Sequence, residues 1–270
     1  MNWARAKTIS IIMFIFLNGV LLFMNYLNSR QYVLAPHNIN AVTAVLNRNN
    51  ITLAPDFNFI RSNPQRQINL DNNNLRSNSL ANVFFINNTN ISIEHNDYTI
   101  FNTGQEKIIF GQNTAFYRNL ANMDYYFENE TYARLFSTGI LLSLGEIGRD
   151  FSLQKITQEG NTLVLDYRQV YRNFVIYNNF MIFTFTNNNI YSIDFSYRPV
   201  LGFTGFSREI RPVDEALLAF MRRADTEASI IIESINLVYY AEDLLAMPYY
   251  RIVYHQESRG VVLINAYTLQ

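Results

Sequence analysis

The sequence predicts an α+β protein: one N-terminal transmembrane helix, then an extracytoplasmic domain of antiparallel β-sheets with packed helices. Three observations predict it. A run of twenty uncharged residues near the N-terminus is long enough to cross a bilayer. Beyond it, short segments of alternating apolar residues recur in pairs around turn residues, the pattern of antiparallel hairpins. Two helical stretches, 129–145 and 213–223, stand between blocks of hairpins instead of following every strand, which favours α+β over α/β.

The apolar run is Thr8–Leu27, TISIIMFIFLNGVLLFMNYL, and twelve of its residues are Leu, Ile, Val or Phe. At 1.5 Å per residue it spans roughly 30 Å, and its apolar side chains contribute on the order of −5 kcal/mol to insertion. Arg5 and Lys7 precede it and only Arg30 follows closely, so the positive-inside rule places the N-terminus in the cytoplasm. A cleaved signal peptide is the rival; the run is longer than such peptides use, and YLNSRQYVLAPH offers no convincing cleavage site. The expected organisation is a cytoplasmic N-terminus (1–7), the membrane helix (8–27), and two extracytoplasmic α+β parts, 28–125 and 126–270. Ile11, Phe14, Asn18, Leu21, Leu22 and Asn25 share one helical face, with Asn18 near mid-bilayer. An amide there seeks a partner on another helix, a contact of about 0.6–2 kcal/mol, although single Asn residues are also tolerated in apolar helices.

Further along, Ile39, Val42 and Leu46 have helical spacing. Residues 61–80 are polar and turn-rich and read as a long exposed connection. Strands are expected near 81–86, 98–103 and 106–110, with Gly104 in the turn between the last two. In the helix at 129–145, Tyr132, Leu135, Phe136, Ile140 and Leu144 line one side, and Gly145 and Gly148 mark its exit. FSLQKITQEGNTLVLDYRQVY reads as a hairpin turning at Glu159-Gly160-Asn161, and FMIFTFTNNNIYSIDFSY as another turning at Asn187-Asn188-Asn189. Pro212 opens the helix Val213–Arg223, with Asp214 and Glu215 in its first turn and Arg222 and Arg223 in its last, matching the macrodipole. Three strands close the chain: ASIIIESINLVYY, PYYRIVYHQ and GVVLINAYTL.

Composition narrows the chemistry. With 21 basic and 22 acidic residues and Lys only at 7, 107 and 155, nothing suggests a nucleic-acid surface. Cysteine is absent, which removes disulfides, thiolate metal sites and thiol catalysis. His37, His95 and His255 sit in no ligand spacing, so no metal or cofactor is expected. Glu128 with Glu130, and Glu146 with Asp150, are close carboxylates whose places at helix ends account for them without catalysis. No phosphate-binding glycine loop or nucleophile motif occurs, and no catalytic residue is assigned; an envelope hydrolase would need two carboxylates facing a cleft.

Two stretches resemble a known family. Trp3, Lys7-Thr8-Ile9 and Leu17-Asn18 match the opening of YycI, also called WalI, a membrane protein of low-GC Gram-positive bacteria. Pro248-Tyr249-Tyr250-Arg251-Ile252-Val253 and Asn265-Ala266-Tyr267-Thr268 match the family's last two strands, and Glu215-Ala216-Leu217 its helix after the paired strands. Leu269 stands where the family has Gly, and Tyr250 where it often has Trp. The resemblance implies a YycH/YycI-like fold and a structural role for Trp3, Lys7, Pro248, Arg251, Asn265 and Ala266. It implies a non-catalytic regulator that works with a YycH-like partner on the WalK (YycG) sensor kinase of cell-wall control, through membrane-helix contacts. The alternative is an envelope-facing module that binds a wall fragment or peptide.

Overall fold

The computed structural model describes residues 3–32, 34–72, 82–85, 91–94, 98–119, 130–186, 191–224 and 228–267. The chain begins with α1 (Trp3–Gln31), α2 (Pro36–Arg48), β1 (Ile51–Leu53), β2 (Gln65–Leu70), β3 (Ile91–Glu94) and β4 (Thr99–Asn102). It continues with β5 (Glu106–Phe110), β6 (Thr114–Asn119), α3 (Glu130–Ser143), α4 (Glu146–Arg149), β7 (Phe151–Glu159) and β8 (Thr162–Tyr171). The rest is β9 (Phe174–Thr186), β10 (Tyr191–Ser196), β11 (Val200–Arg208), α5 (Val213–Met221), β12 (Ile230–Glu242), β13 (Leu245–His255) and β14 (Arg259–Asn265). The result is mixed α+β with predominantly antiparallel pairing. Two compact units share this chain: unit 1 takes residues 1–65, 207–237 and 249–270, and unit 2 takes 66–206 and 238–248. The expected boundary between 125 and 126 lies outside the described residues.

In unit 1, α2 opens with Pro in its first turn, where the missing N–H has no partner to lose, and turns Val42 and Leu46 inward. β1 pairs in parallel with the start of β12, Ile51 opposite Ile230. β13 and β14 form an antiparallel ladder from Tyr249↔Asn265 to His255↔Arg259. The core between them is aliphatic: Leu46, Ile51, Ile210, Ala216, Leu217, Ile230, Ile232, Ile252 and Ile264, with Phe220 and Tyr250.

Unit 2 holds an antiparallel run in the order β7-β8-β9-β10-β6-β5-β4-β3. β9 shows the expected two faces: Met181, Phe183 and Phe185 are buried, while Ile182, Thr184 and Thr186 are only partly so. Phe110, Tyr117, Tyr167, Tyr191 and Phe195 join them in a core rich in aromatic rings, closed by Ala133 and Leu141 of α3. Gly148 is required there, because a Cβ would lie 1.8 Å from the Leu141 carbonyl oxygen. Between the pairs Arg168↔Phe180 and Gln169↔Ile176 the register shifts, and residues 177–179 bulge from β9. The Asn178 amide then stands in for strand backbone, donating to Ala241 O at 2.8 Å and accepting from Ala241 N at 2.7 Å.

Several expectations change. The polar stretch 61–80 contains β2, whose Ile68 and Leu70 are fully packed; two alternating apolar residues among polar ones were too few to mark a strand. Residues 82–84 are helical instead of extended, with Phe84 and Phe85 buried. α3 buries Ala133, Ser137 and Leu141 and leaves Tyr132 and Leu135 exposed, because apolar residues occur on both sides of this helix and periodicity alone did not select one. α5 stops at Met221, so Arg222 and Arg223 lie just beyond its last turn. β1, β3, β6 and β11 are strands that the sequence pattern does not predict. The turn at 187–189 lies outside the described residues.

Candidate functional site

α1 contains the stretch Lys7–Met24, the one helix segment among the described residues long and apolar enough to cross a membrane. Its 29 residues extend to roughly 44 Å, longer than the hydrocarbon core. No residue of that stretch is buried against the rest of the chain. Ile11, Phe14, Leu21 and Leu22 of the expected contact face are all exposed, as are Trp3 and Lys7. Asn18 donates its side-chain amide to Phe14 O at 2.8 Å, one turn back along its own helix, which satisfies part of its hydrogen-bonding capacity inside the apolar span. The side chain of Asn25 lies outside the described residues.

Directly after α1 the chain enters an open groove of about 610 Å³, within unit 1. Its walls are Tyr32, Leu34, Ala35 and Asn38 on the side of α2, Ser62, and the segment Glu209–Glu215 that leads into α5. Backbone bonds fix these pieces: Ser62 N donates to Tyr32 O at 3.1 Å, and Arg211 N to Ala266 O at 2.8 Å. Beneath the groove Tyr250, fully buried, donates its hydroxyl to Arg211 O at 2.7 Å and lies 3.0 Å from Ser62 Oγ. Burial pushes this phenol up to about 12; Asp214 and Glu215 push the same way, while Ser62 and Arg211 oppose them.

The electrostatics of the groove are lopsided. Glu209, Asp214 and Glu215 face one cation, Arg211, whose Nη2 is already directed to Tyr267 O at 3.2 Å. Asp214 Oδ1 and Arg211 Nε are shut off from water with no hydrogen-bond partner among the described residues. Each such buried polar atom costs about 1–3 kcal/mol.

The C-terminal residues of the resemblance lie on or beside neighbouring strands, whereas Trp3 and Lys7 lie apart on α1. Arg251 on β13 pairs with Leu263, and Tyr249, next to Pro248, pairs with Asn265. Asn265 Oδ1 accepts from Tyr267 N at 2.9 Å, and Ala266 is buried in the core of unit 1. Through Ala266 and Tyr267 this C-terminal segment holds Arg211 at the groove. Sequence reasoning missed the groove because its residues come from three distant stretches without a shared motif. The acidic start of α5 was visible, but a helix macrodipole accounts for that pattern equally well.

Elsewhere most buried polar groups bond to one another, although Asn113 Oδ1 in unit 2 is also buried with no partner among the described residues. In unit 2 Tyr117 donates to Glu106 Oε1 at 2.7 Å and lies 3.2 Å from the Tyr191 hydroxyl. Burial holds both phenols well above their ordinary range, and Glu106 adds to it. Asn179, placed by the β9 bulge, donates to Gln169 Oε1 at 2.6 Å; Gln169 in turn donates to Asp150 Oδ2 at 3.2 Å, which also accepts from Tyr197. Glu146 opens α4, Glu130 pairs with Arg134 at 2.6 Å, and Glu128 lies outside the described residues. His37 and His255 are exposed and His95 lies outside the described residues. Among the described residues, no three His, Asp or Glu side chains converge as metal ligands do.

No family model matches the chain, and no curated protein matches it. Among solved structures it is similar to an uncharacterized protein from Eubacterium rectale ATCC 33656, at 12% identity over 82% of this chain and 90% of that one, with a TM-score of 0.55. It also aligns with the C-terminal domain of Bacillus megaterium YpeB at 9% identity, over 67% of this chain and 84% of that one, with a TM-score of 0.40. At such identity the first likeness is one of fold and leaves function to be argued from the chain's own residues.

Proposed function

We propose that this chain is a membrane-anchored, non-catalytic regulator whose working surface is α1. In this reading the short N-terminus is cytoplasmic, the chain beyond α1 lies outside the cell, and α1 contacts the membrane helices of a WalK-like sensor kinase alongside a YycH-like partner. The observation that carries it is the exposure of the whole Lys7–Met24 stretch: its own chain covers none of it, leaving all of it for lipid and for other helices. Asn18 supplies the polar contact on that face. Asn18→Leu is expected to weaken co-purification with the kinase severalfold and leave the units folded, in line with an interhelical bond of about 0.6–2 kcal/mol. Unchanged co-purification and unchanged signalling would remove Asn18 from the contact.

The groove favours a second reading, an envelope-facing module that captures a wall fragment or peptide. Replacing Thr8–Leu27 with an unrelated apolar span separates the two: a regulator loses its effect on the kinase, whereas a binding module keeps its ligand.

A further inference from the structure

The sheet of unit 2 has a second face, turned away from the aromatic core, and over β4–β6 that face departs from the polar pattern expected of a solvent side. Alternation places Ile100 of β4, Lys107 and Ile109 of β5, and Phe116 and Arg118 of β6 on it, while Ile108 and Tyr117 between them are buried. The register sorts these five into two rows. Ile100 lies opposite Ile109 and Ile109 opposite Phe116, an apolar row three strands wide. Beside it Lys107 lies opposite Arg118. Like charges directly opposite on paired strands are unfavourable, and neither cation has an ion-pair partner among the described residues. No carboxylate of β4–β6 shares this face: Glu106, the one acid of these strands, is buried on the other side and bonded to Tyr117. Asp194 of β10, opposite Phe116, has its pKa raised by burial, with no cation countering it. Two uncompensated cations thus stand beside three apolar side chains.

We propose that this face of β4–β6 docks on an anionic lipid surface, with Lys107 and Arg118 meeting headgroup phosphates and Phe116, Ile109 and Ile100 lying against the boundary between headgroups and acyl chains. The proposal rests on the reading of α1 as a bilayer span and needs no kinase. Two observations select a bilayer over a soluble partner. The charge is complementary to anionic lipid, each cation near such a surface raising occupancy about fivefold, and an apolar surface flanked by cations suits the interfacial zone. The same chain also carries the uncovered Lys7–Met24 stretch, which keeps a bilayer at high effective concentration, so a contact too weak to hold a free protein suffices here. A phosphate polymer or an acidic peptide would use the two cations and leave the apolar row without a purpose.

Lysine acylation reads the contact directly, because Lys occurs only at 7, 107 and 155. The full chain is placed in nanodiscs of phosphatidylcholine with or without phosphatidylglycerol, and a neutral, water-soluble acylating reagent is followed site by site by mass spectrometry. Lys107 is expected to react about fivefold more slowly in the anionic discs, whereas Lys155, exposed on β7, reacts alike in both. Phe116→Ser and Arg118→Gln should each return Lys107 to within about twofold of its rate in phosphatidylcholine. Arg222→Gln, an exposed arginine outside this face, should change nothing. Circular dichroism checks that each variant folds; both substituted side chains are exposed, and if one variant unfolds the other decides the matter. Equal Lys107 rates in the two discs, or equal slowing of Lys155, overturns the docking and leaves α1 a span. Slowing that survives Phe116→Ser is a charge effect without seating and overturns it too. Polyglutamate that shields Lys107 in phosphatidylcholine discs as strongly as phosphatidylglycerol does overturns the choice of a bilayer. A chain that fails to enter the discs overturns the span and the docking together.

Discussion

Units 1 and 2 each hold buried polar atoms with no hydrogen-bond partner among the described residues, Asp214 Oδ1 in unit 1 and Asn113 Oδ1 in unit 2, and differ in where their bonded networks lie. In unit 2 Glu106, Tyr117 and Tyr191 bond to one another inside an aromatic core, and Asn179, Gln169, Asp150 and Tyr197 form a second chain of partners. In unit 1 the buried Tyr250 is equally well bonded, but its partners Ser62 and Arg211 line an open groove, and Arg211 Nε and Asp214 Oδ1 beside it have none. Closed networks fix architecture, because each member is satisfied only in one arrangement. A network that reaches an open groove leaves polar groups such as Ser62 and Arg211 beside space that a ligand could enter.

Three measurements would sharpen or break that contrast. Tyr117→Phe should be the most damaging, about 3 kcal/mol, because it takes a donor from the buried Glu106 carboxylate. Hydrogen exchange should locate the loss in unit 2; protection lost first in unit 1 would contradict the separation. Alkali comes next. A phenol whose folded pKa is raised contributes stability that is complete below pH 10 and is lost as pH rises toward and through the folded value. Tyr250, pushed up to about 12, then accounts for about 2–3 kcal/mol by pH 12. Tyr117 and Tyr197 lie higher still, burial being the first cause in both, so unit 2 should lose protection over the same range. Stability that is flat from pH 9 to 12 would contradict this. Ser62→Ala should be the mildest, about 1 kcal/mol in urea unfolding, because the Tyr250 hydroxyl keeps its bond to Arg211 O.

Legibility in the sequence followed the range of the interactions. The hairpin β7–β8 was readable because its turn, Gly160-Asn161, and its alternation are local; so were α2 and α5, with helical spacing and a proline at the start. β2 was not, because Leu245 and Ala246, its antiparallel partners across from Asn69 and Ile68, are distant in the chain. The bulge at 177–179 was hidden for a different reason. Asn178 and Asn179 look like two more members of an Asn-rich composition, and only their bonds to Ala241 and Gln169 separate them from turn residues. The long apolar helix was legible from composition alone. The groove was not, since charge at a helix start reads as capping until the surrounding segments are in place.

The discontinuity of unit 1 carries a consequence for the order of assembly. Most of unit 2 is one continuous stretch in which several hairpins close over short loops, a more local connectivity than that of unit 1. Unit 1 must wait: Thr52 of β1 reaches Ile230 across 178 residues, and Arg211 is held by Ala266 and Tyr267, just past β14. α2 therefore emerges long before α5 and β14, the later elements that close the core of unit 1 around it. A chain cut before β14 keeps its apolar helix and unit 2 but lacks the ladder and the Ala266 anchor that shape the groove.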